Sequence, residues 1–186
     1  MQNISETDLH LWQQLKNGQK VAIEKIYYRY IDLLINYGLK FTPELTLVED
    51  AVQDLFVILW NSREKLSDTD SVKNYLMGSL RNNLVRLIQS QAKVSYQDDF
   101  NLVPFELVNN IEQDIIQGEK NSERNILLNQ SMDQLSNRQK EAIYLKYYEG
   151  KEYEEICEIM NINYQSVRNL ISTGIKSLKE NIQQSR

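Results

Sequence analysis

The chain has 186 residues, of which 41% are hydrophobic, and a formal net charge of −5. This size allows one large domain or two small ones with packed cores. The single cysteine excludes an internal disulfide framework and a cysteine-rich metal site. The single histidine lies near the N-terminus and argues against a histidine-based catalytic centre.

Helix-favouring and charged residues dominate, and no long alternating strand pattern occurs. This composition predicts an all-α fold. No apolar run approaches the roughly 18 residues of a membrane span. The N-terminal sequence MQNISETDLH also lacks the basic-then-apolar layout of a signal peptide. We therefore expect a cytoplasmic protein without membrane insertion.

The first half of the chain is predicted to form a helical bundle. Apolar residues recur at helical spacing over Asp8 to Leu15, Val21 to Leu39, Leu47 to Trp60 and around Val72 to Gln91. Glycine or proline follows the first two of these segments, where the helices are expected to end.

The last two of these helices differ in charge. The polar face of the third carries Glu49, Asp50, Gln53 and Asp54, whereas no acid occurs from Val72 to Gln97. Two interpretations stay open. Either the two helices pair inside the bundle, or a surface for a basic protein partner lies beside a surface for nucleic acid.

Two aromatic residues, Trp60 and Tyr75, flank the polar loop between these helices. Such rings could stack on unpaired bases, each stack contributing roughly 1–3 kcal/mol. At helical spacing, however, an aromatic residue more often belongs to a core.

The acidity of the chain is concentrated in its middle. Residues 96–130 contain two bases and seven acids, whereas the segments on either side are neutral overall. Pro104, Gly118 and the lack of a sustained apolar stripe predict a flexible acidic linker over 95–130. Whether this linker is a solvated tether or a binding segment stays open.

The segment from Tyr153 to Lys179 is typical of a helix-turn-helix. A first apolar stripe is followed by the turn Asn161-Ile162-Asn163, in which Asn163 suits an N-cap. A second apolar stripe then follows at Val167, Leu170, Ile171, Ile175 and Leu178. The second helix has three bases and no acid up to Lys179, while the first is strongly acidic. This difference in charge between the two helices is explained if the second helix binds DNA. The alternative is an ordinary helical hairpin with a solvated basic face.

Taken together, these motifs resemble bacterial RNA polymerase sigma factors of the extracytoplasmic-function (ECF) group. The resemblance covers residues 9–92 and 131–183. VEDAVQDLFVILW is similar to the family's polymerase-binding helix, and YLMGSLRNNL to its promoter-melting helix. LSNRQKEAIYLKYYEGKEYEEICEIMNINYQSVRNLI is similar to the upstream-promoter domain, with a capping box formed by Ser136 and Gln139.

The resemblance implies two helical domains, 1–94 and 131–186, joined by the linker 95–130. The first would bind core polymerase and melt the downstream (−10) promoter element, and the second would bind the upstream (−35) element. Implied partners are the clamp of the largest polymerase subunit, the flap region of the second-largest subunit, promoter DNA and an anti-sigma factor. No catalytic residue, metal or cofactor is expected.

The resemblance also assigns residues to each surface. Core polymerase would contact Asp50, Gln53, Asp54 and Phe56. The downstream element would contact a loop and the melting helix, at Ser67, Asp68, Thr69, Asp70, Ser71, Lys73, Tyr75, Arg81 and Asn82. The loop would capture a flipped base. The upstream element would contact Tyr164, Gln165, Arg168, Asn169, Ser172, Lys176 and Lys179.

Two rival functions remain open. A stand-alone helix-turn-helix regulator would bind duplex DNA without polymerase, although the neutral charge of residues 131–186 disfavours this. A degenerate sigma homologue could occupy polymerase without opening promoters. An enzyme is disfavoured because no nucleophile–base set or phosphate-binding glycine loop is present.

Overall fold

The computed structural model describes residues 7–91, 103–107 and 131–184. Within these ranges the chain is helical without strands, as predicted, and it divides into two compact units, Met1–Gln91 and Ala92–Arg186. The N-terminal unit contains α1 (Asp8–Lys16), α2 (Lys20–Gly38), α3 (Leu45–Asn61) and α4 (Val72–Gln91). The C-terminal unit contains α5 (Asn137–Tyr147), α6 (Tyr153–Met160) and α7 (Tyr164–Gln184).

The N-terminal unit is a bundle whose helices bury the predicted stripes. Thr7 caps α1 by accepting a hydrogen bond from the His10 N–H, and Gly18, at φ +79°, ends its terminal turn. The core is formed by apolar side chains of all four helices, among them Leu11, Trp12, Ile26, Leu34, Val48, Val52, Leu76, Leu80 and Leu84. Burial of these stripes holds the helices together.

Helices α2 and α3 approach each other closely at Gly38. A Cβ atom added there would lie only 2.4 Å from Cγ1 of Val48. A larger residue at this position would force the two helices apart, so the glycine sets the spacing that positions α3.

The C-terminal unit is the predicted helix-turn-helix preceded by α5. Ser136 and Gln139 form the predicted capping box at the start of α5. Asn161 adopts the left-handed conformation after α6, with φ 51° and ψ 52°. The Asn163 side chain then accepts a hydrogen bond of 2.8 Å from the Ser166 N–H, as expected for an N-cap.

A short part of the predicted linker packs as core in the C-terminal unit. Val103 is 4% and Phe105 1% exposed, and the Phe105 ring lies 5.7 Å from that of Tyr144 on α5. The linker predicted from the sequence thus includes a packed stretch at 103–107, where two apolar side chains offset the local acidity. The rest of the linker lies outside the described residues.

Candidate functional site

The outer face of α3 presents a continuous stripe. Asp50, Gln53 and Asp54 are exposed, and Val57 and Ile58 continue the same face with 57% and 59% exposure. The spacing i, i+3, i+4, i+7, i+8 places all five side chains on one side of the helix. We name these five residues the α3 stripe. Acid at one end and exposed aliphatic side chains at the other are suited to a partner that is both basic and apolar.

Phe56 does not belong to this surface. It is only 7% exposed, and its ring packs edge-on against Tyr27 at 5.1 Å. The prediction of a direct polymerase contact for Phe56 is corrected, because its direction along α3 points into the bundle. The helical spacing of three and four residues from Asp50 predicts Val57 and Ile58, rather than Phe56, on the exposed face of α3.

The loop between α3 and α4 is tied to α1. Trp12 Nε1 donates a hydrogen bond of 3.0 Å to the main-chain oxygen of Ser67. Asp68 accepts hydrogen bonds from Gln13 Nε2 at 2.9 Å and from Lys16 Nζ at 2.5 Å. Further along, the Ser71 N–H donates to the Thr69 side chain at 3.2 Å. These contacts give the loop a defined shape before any ligand arrives.

The same contacts favour the ionised form of Asp68. Its hydrogen bonds to Lys16 and Gln13 hold the pKa of the carboxyl below its usual range. The carboxylate is thus engaged with α1, while Asp70 is exposed beside it. Of the two acids in the loop, Asp70 is the one left facing solvent without such a contact in the described structure.

Helix α4 places its predicted residues in different environments. Tyr75 is 37% exposed and meets the Trp12 ring edge-on at 4.9 Å, and Asn82 is exposed. Lys73 is half-buried. Arg81 is only 2% exposed. The prediction that Arg81 contacts DNA is therefore corrected, since its side chain lies in the interior of the unit.

The exposed face of α7 brings all seven predicted upstream-element residues to the surface. They are Tyr164, Gln165, Arg168, Asn169, Ser172, Lys176 and Lys179. Gln165 Nε2 donates to Asn169 Oδ1 at 2.8 Å, which aligns two amide side chains near the start of the helix. Lys176 pairs with Glu180 at 3.8 Å on the exposed surface. Amide and guanidinium groups that share one helix face have the chemistry for reading base edges in a major groove.

The acids of the preceding helix are partly neutralised within the unit. Lys146 pairs with Glu152 at 2.9 Å, and Lys151 with Glu155 at 3.2 Å. These pairs lie around the start of α6, away in sequence from the acid-free stretch of α7. The charge separation read from the sequence is thus retained in the folded unit.

Two findings concern what the described residues do not contain. Within 7–91, 103–107 and 131–184, no group of three or more His, Cys, Asp or Glu side chains could hold a metal ion. In the same ranges no helix combines the length and hydropathy needed to cross a membrane.

Comparison with known proteins identifies the family of the chain. Residues 26–94 match the family model "Sigma-70 region 2", and residues 126–178 match "Sigma-70, region 4", so the two segments together span more than half of the chain. The chain belongs to the sigma-70 family, as an ECF-type sigma factor. It is a promoter-recognising factor that directs transcription initiation by RNA polymerase.

Individual relatives are distant but cover the chain well. The sigma factor is 25% identical to the ECF RNA polymerase sigma factor SigM of Bacillus subtilis (strain 168), over 86% of this chain and 94% of SigM. It is 29% identical to a protein named Bacteriocin UviA from Clostridium perfringens, over 90% and 94% of the two chains. A solved structure of the sigma factor RpoE with the anti-sigma factor NepR, from Bartonella quintana, has the same fold. Its TM-score is 0.60 at 19% identity, with 88% of this chain and 98% of that chain covered.

Proposed function

We propose that the two units of this sigma factor divide the work of initiation. The N-terminal unit would bind core polymerase through the α3 stripe and contact the downstream element through residues 67–71 and α4. The C-terminal unit would bind the upstream element through α7. The observation that carries this proposal is the exposed face of α7, which has no acid from Tyr164 to Lys179, in a chain that also presents the α3 stripe.

Docking on polymerase follows from the chemistry of the α3 stripe. Asp50 and Asp54 would pair with basic side chains of the clamp of the largest subunit, and Val57 and Ile58 would be buried on contact. Since the two aliphatic side chains are 57% and 59% exposed, burying the exposed part supplies roughly 1–2 kcal/mol each. The acids add orientation and association rate more than affinity. A contact between the C-terminal unit and the flap region of the second-largest subunit is proposed from the family resemblance alone.

The proposed promoter contacts of α7 are of two kinds, contacts to base edges and contacts to phosphate. Gln165, Arg168 and Asn169 lie near the start of α7, where a recognition helix meets base edges. Tyr164 and Ser172 flank these three on the exposed face. Lys176 and Lys179 lie two to three turns further on and would contact phosphate, which positions the helix without reading sequence.

The downstream element would meet the preformed loop and α4. Tyr75 would stack on an unpaired base, and Asn82 would offer an amide to a base edge. Ser67, Thr69, Asp70 and Ser71 would line the path of the strand, and Lys73 would add a positive charge at the start of α4. Asp68 holds the loop in place rather than contacting the strand.

Three further properties are proposed. The protein would have no catalysis of its own, since polymerase supplies it, and it would act in the cytoplasm, where polymerase and promoters are found. It would be controlled by an anti-sigma factor that covers the same surfaces. Support for this last point is the fold shared with RpoE, which was solved with an anti-sigma factor.

Co-elution with core polymerase on size exclusion tests the docking step. We expect the wild-type protein to co-elute and Asp54→Lys to fail, because the substitution replaces an attractive charge with a repulsive one. Glu154→Lys, at an exposed acid on α6 in the other unit, is the control and should co-elute. Co-elution of Asp54→Lys at wild-type affinity would contradict the assignment of the stripe.

A further inference from the structure

The first residue of α7, Tyr164, is held by an aromatic contact from outside its own helix. Its ring centroid lies 5.5 Å from that of Tyr153, with an angle of 39° between the two ring planes. Tyr153 is the first residue of α6, so the contact joins the starts of the two helices of the helix-turn-helix. Tyr164 is nevertheless 48% exposed. About half of this residue therefore remains accessible to a ligand.

The Tyr153 ring is itself restrained by its neighbours. Lys146 of α5 places its Nζ over this ring, 5.3 Å from the centroid, and pairs with Glu152 at 2.9 Å. The N–H of Glu152 donates a hydrogen bond of 2.8 Å to Oε2 of Glu155 in the first turn of α6. Contacts from α5 and from the start of α6 thus fix the support on which Tyr164 rests.

The turn between α6 and α7 brings the two rings together. Asn161 ends α6 in the left-handed conformation, and the Asn163 side chain caps α7 by accepting from the Ser166 N–H at 2.8 Å. These two asparagines set the direction in which α7 leaves the turn. The aromatic pair is therefore formed before DNA arrives, which lowers the entropic cost of binding through the Tyr164 ring.

The place of Tyr164 in α7 determines which part of DNA its ring can meet. The first residues of a recognition helix face base edges in the major groove. The apolar group that a base pair presents there is the C5-methyl group of thymine. No acid occurs from Tyr164 to Lys179, so this part of α7 does not repel the neighbouring phosphates. A supported, half-exposed ring at this position suits contact with a thymine methyl group.

We propose that Tyr153 is a positioning residue for base reading, which holds the Tyr164 ring against the methyl group of one thymine in the upstream promoter element. The inference rests on the proposed function and deepens it. It names one base that the element contains and a residue outside α7 on which recognition of that base depends. Tyr153 acts through Tyr164 and does not contact the base.

The test uses holoenzyme assembled from core polymerase and the full chain, with duplex promoter DNA that it transcribes. Each thymine of the upstream element is replaced in turn by deoxyuridine, which removes only the C5-methyl group. With wild-type protein, one replacement should weaken binding about fourfold, as expected for one buried methyl-sized group. In Tyr164→Ala and in Tyr153→Ala this position-specific loss should disappear. Tyr153→Phe keeps the ring and should keep the loss.

The design separates positioning from a merely structural role. Each protein is compared with itself on two DNAs, so partial unfolding of a variant lowers both affinities by the same factor and leaves their ratio unchanged. Tyr147→Ala is the matched control. It removes a tyrosine that is 60% exposed on α5, and it should keep the wild-type ratio.

The possible results contradict different parts of the proposal. If wild-type holoenzyme binds the promoter but no replacement weakens binding, or if Tyr164→Ala retains the position-specific loss, the thymine contact is overturned and the sigma function stands. If Tyr153→Ala alone retains the loss, the positioning role of Tyr153 is overturned. Weakened co-elution of Tyr164→Ala with core polymerase would overturn the proposal in favour of a polymerase contact. A wild-type holoenzyme that fails to form or to bind promoter DNA would overturn the proposed function itself.

Discussion

Trp12 and Ser67 are joined by a hydrogen bond of 3.0 Å from the indole Nε1 to the main-chain oxygen, across 55 residues of sequence. Trp12 is 1% exposed, and its ring also meets Tyr75 at 4.9 Å. One buried side chain therefore connects α1 with both the loop 67–71 and α4. Helix α1, to which the sequence assigned no role in promoter recognition, supports the proposed downstream-element surface.

Trp12→Phe tests this support, because it keeps an aromatic ring but removes the donor to Ser67. An unsatisfied carbonyl and a smaller ring should loosen the loop at a cost of about 1–3 kcal/mol. We expect altered preference among downstream-element sequences in abortive transcription assays, with unchanged affinity for core polymerase. Unchanged preference would show that α1 does not position the loop.

The ion pair between Lys16 and Asp68 predicts how the loop responds to pH. Because the pKa of Asp68 is lowered in the folded protein, the contact stabilises the loop above the ordinary carboxyl pKa of about 3.9 and is lost as pH falls through the lowered value. The contact should therefore stay intact across the neutral range. Titration of the Asp68 carboxyl by NMR, with Lys16→Gln as the comparison, should show a higher pKa in the variant. If Asp68 had the same pKa in the wild-type protein and in Lys16→Gln, the ion pair with Lys16 would not be the cause of the lowered pKa.

The α3 stripe and its buried neighbour should respond differently to substitution. Val57→Ala should weaken binding to core polymerase with little change in stability, because its side chain is 57% exposed. Phe56→Ala should instead lower the free energy of unfolding by about 3–5 kcal/mol. Urea unfolding and polymerase binding are measured for both variants. If Phe56→Ala kept its stability but lost binding to core polymerase, the direct contact predicted from the sequence would be supported.

The packed segment 103–107 predicts a stability effect inside the predicted linker. Phe105→Ala removes a side chain that is 1% exposed and should cost about 3–5 kcal/mol of unfolding free energy in the C-terminal unit. Glu106→Ala, at an exposed neighbouring position, should change it by less than about 0.5 kcal/mol. Similar unfolding curves for the two variants would mean that the segment is a solvated tether.

The helices could be predicted from the sequence because their apolar stripes, caps and glycine stops agree. Asn161 and Asn163 are examples, since their short polar side chains suit the two backbone conformations that the turn needs. The errors at Phe56 and Arg81 have another cause. Family motifs place them in functional helices, but only the packed bundle decides which side of the helix faces inward. The burial of Phe105 was missed because it depends on contacts distant in sequence.

Base reading by α7 gives separable predictions for two of its residues. Arg168→Ala should relax preference at one base pair of the upstream element by roughly 1–3 kcal/mol. Lys179→Ala should weaken binding evenly across sequences and reduce the salt slope by about 0.9. Affinities of holoenzyme for single-base variants at several salt concentrations distinguish them. If Arg168→Ala weakened binding to all single-base variants by the same factor, Arg168 would contact phosphate rather than a base.

The central claim is that this protein makes core polymerase initiate at promoters with two defined elements. Abortive-transcript synthesis by purified core polymerase with this protein, on a genomic promoter library, tests it most directly. We predict transcripts that start downstream of a shared pair of upstream and downstream motifs and that disappear with Asp54→Lys. No transcript, despite co-elution with core polymerase, would contradict the claim and identify a factor that occupies polymerase without opening promoters.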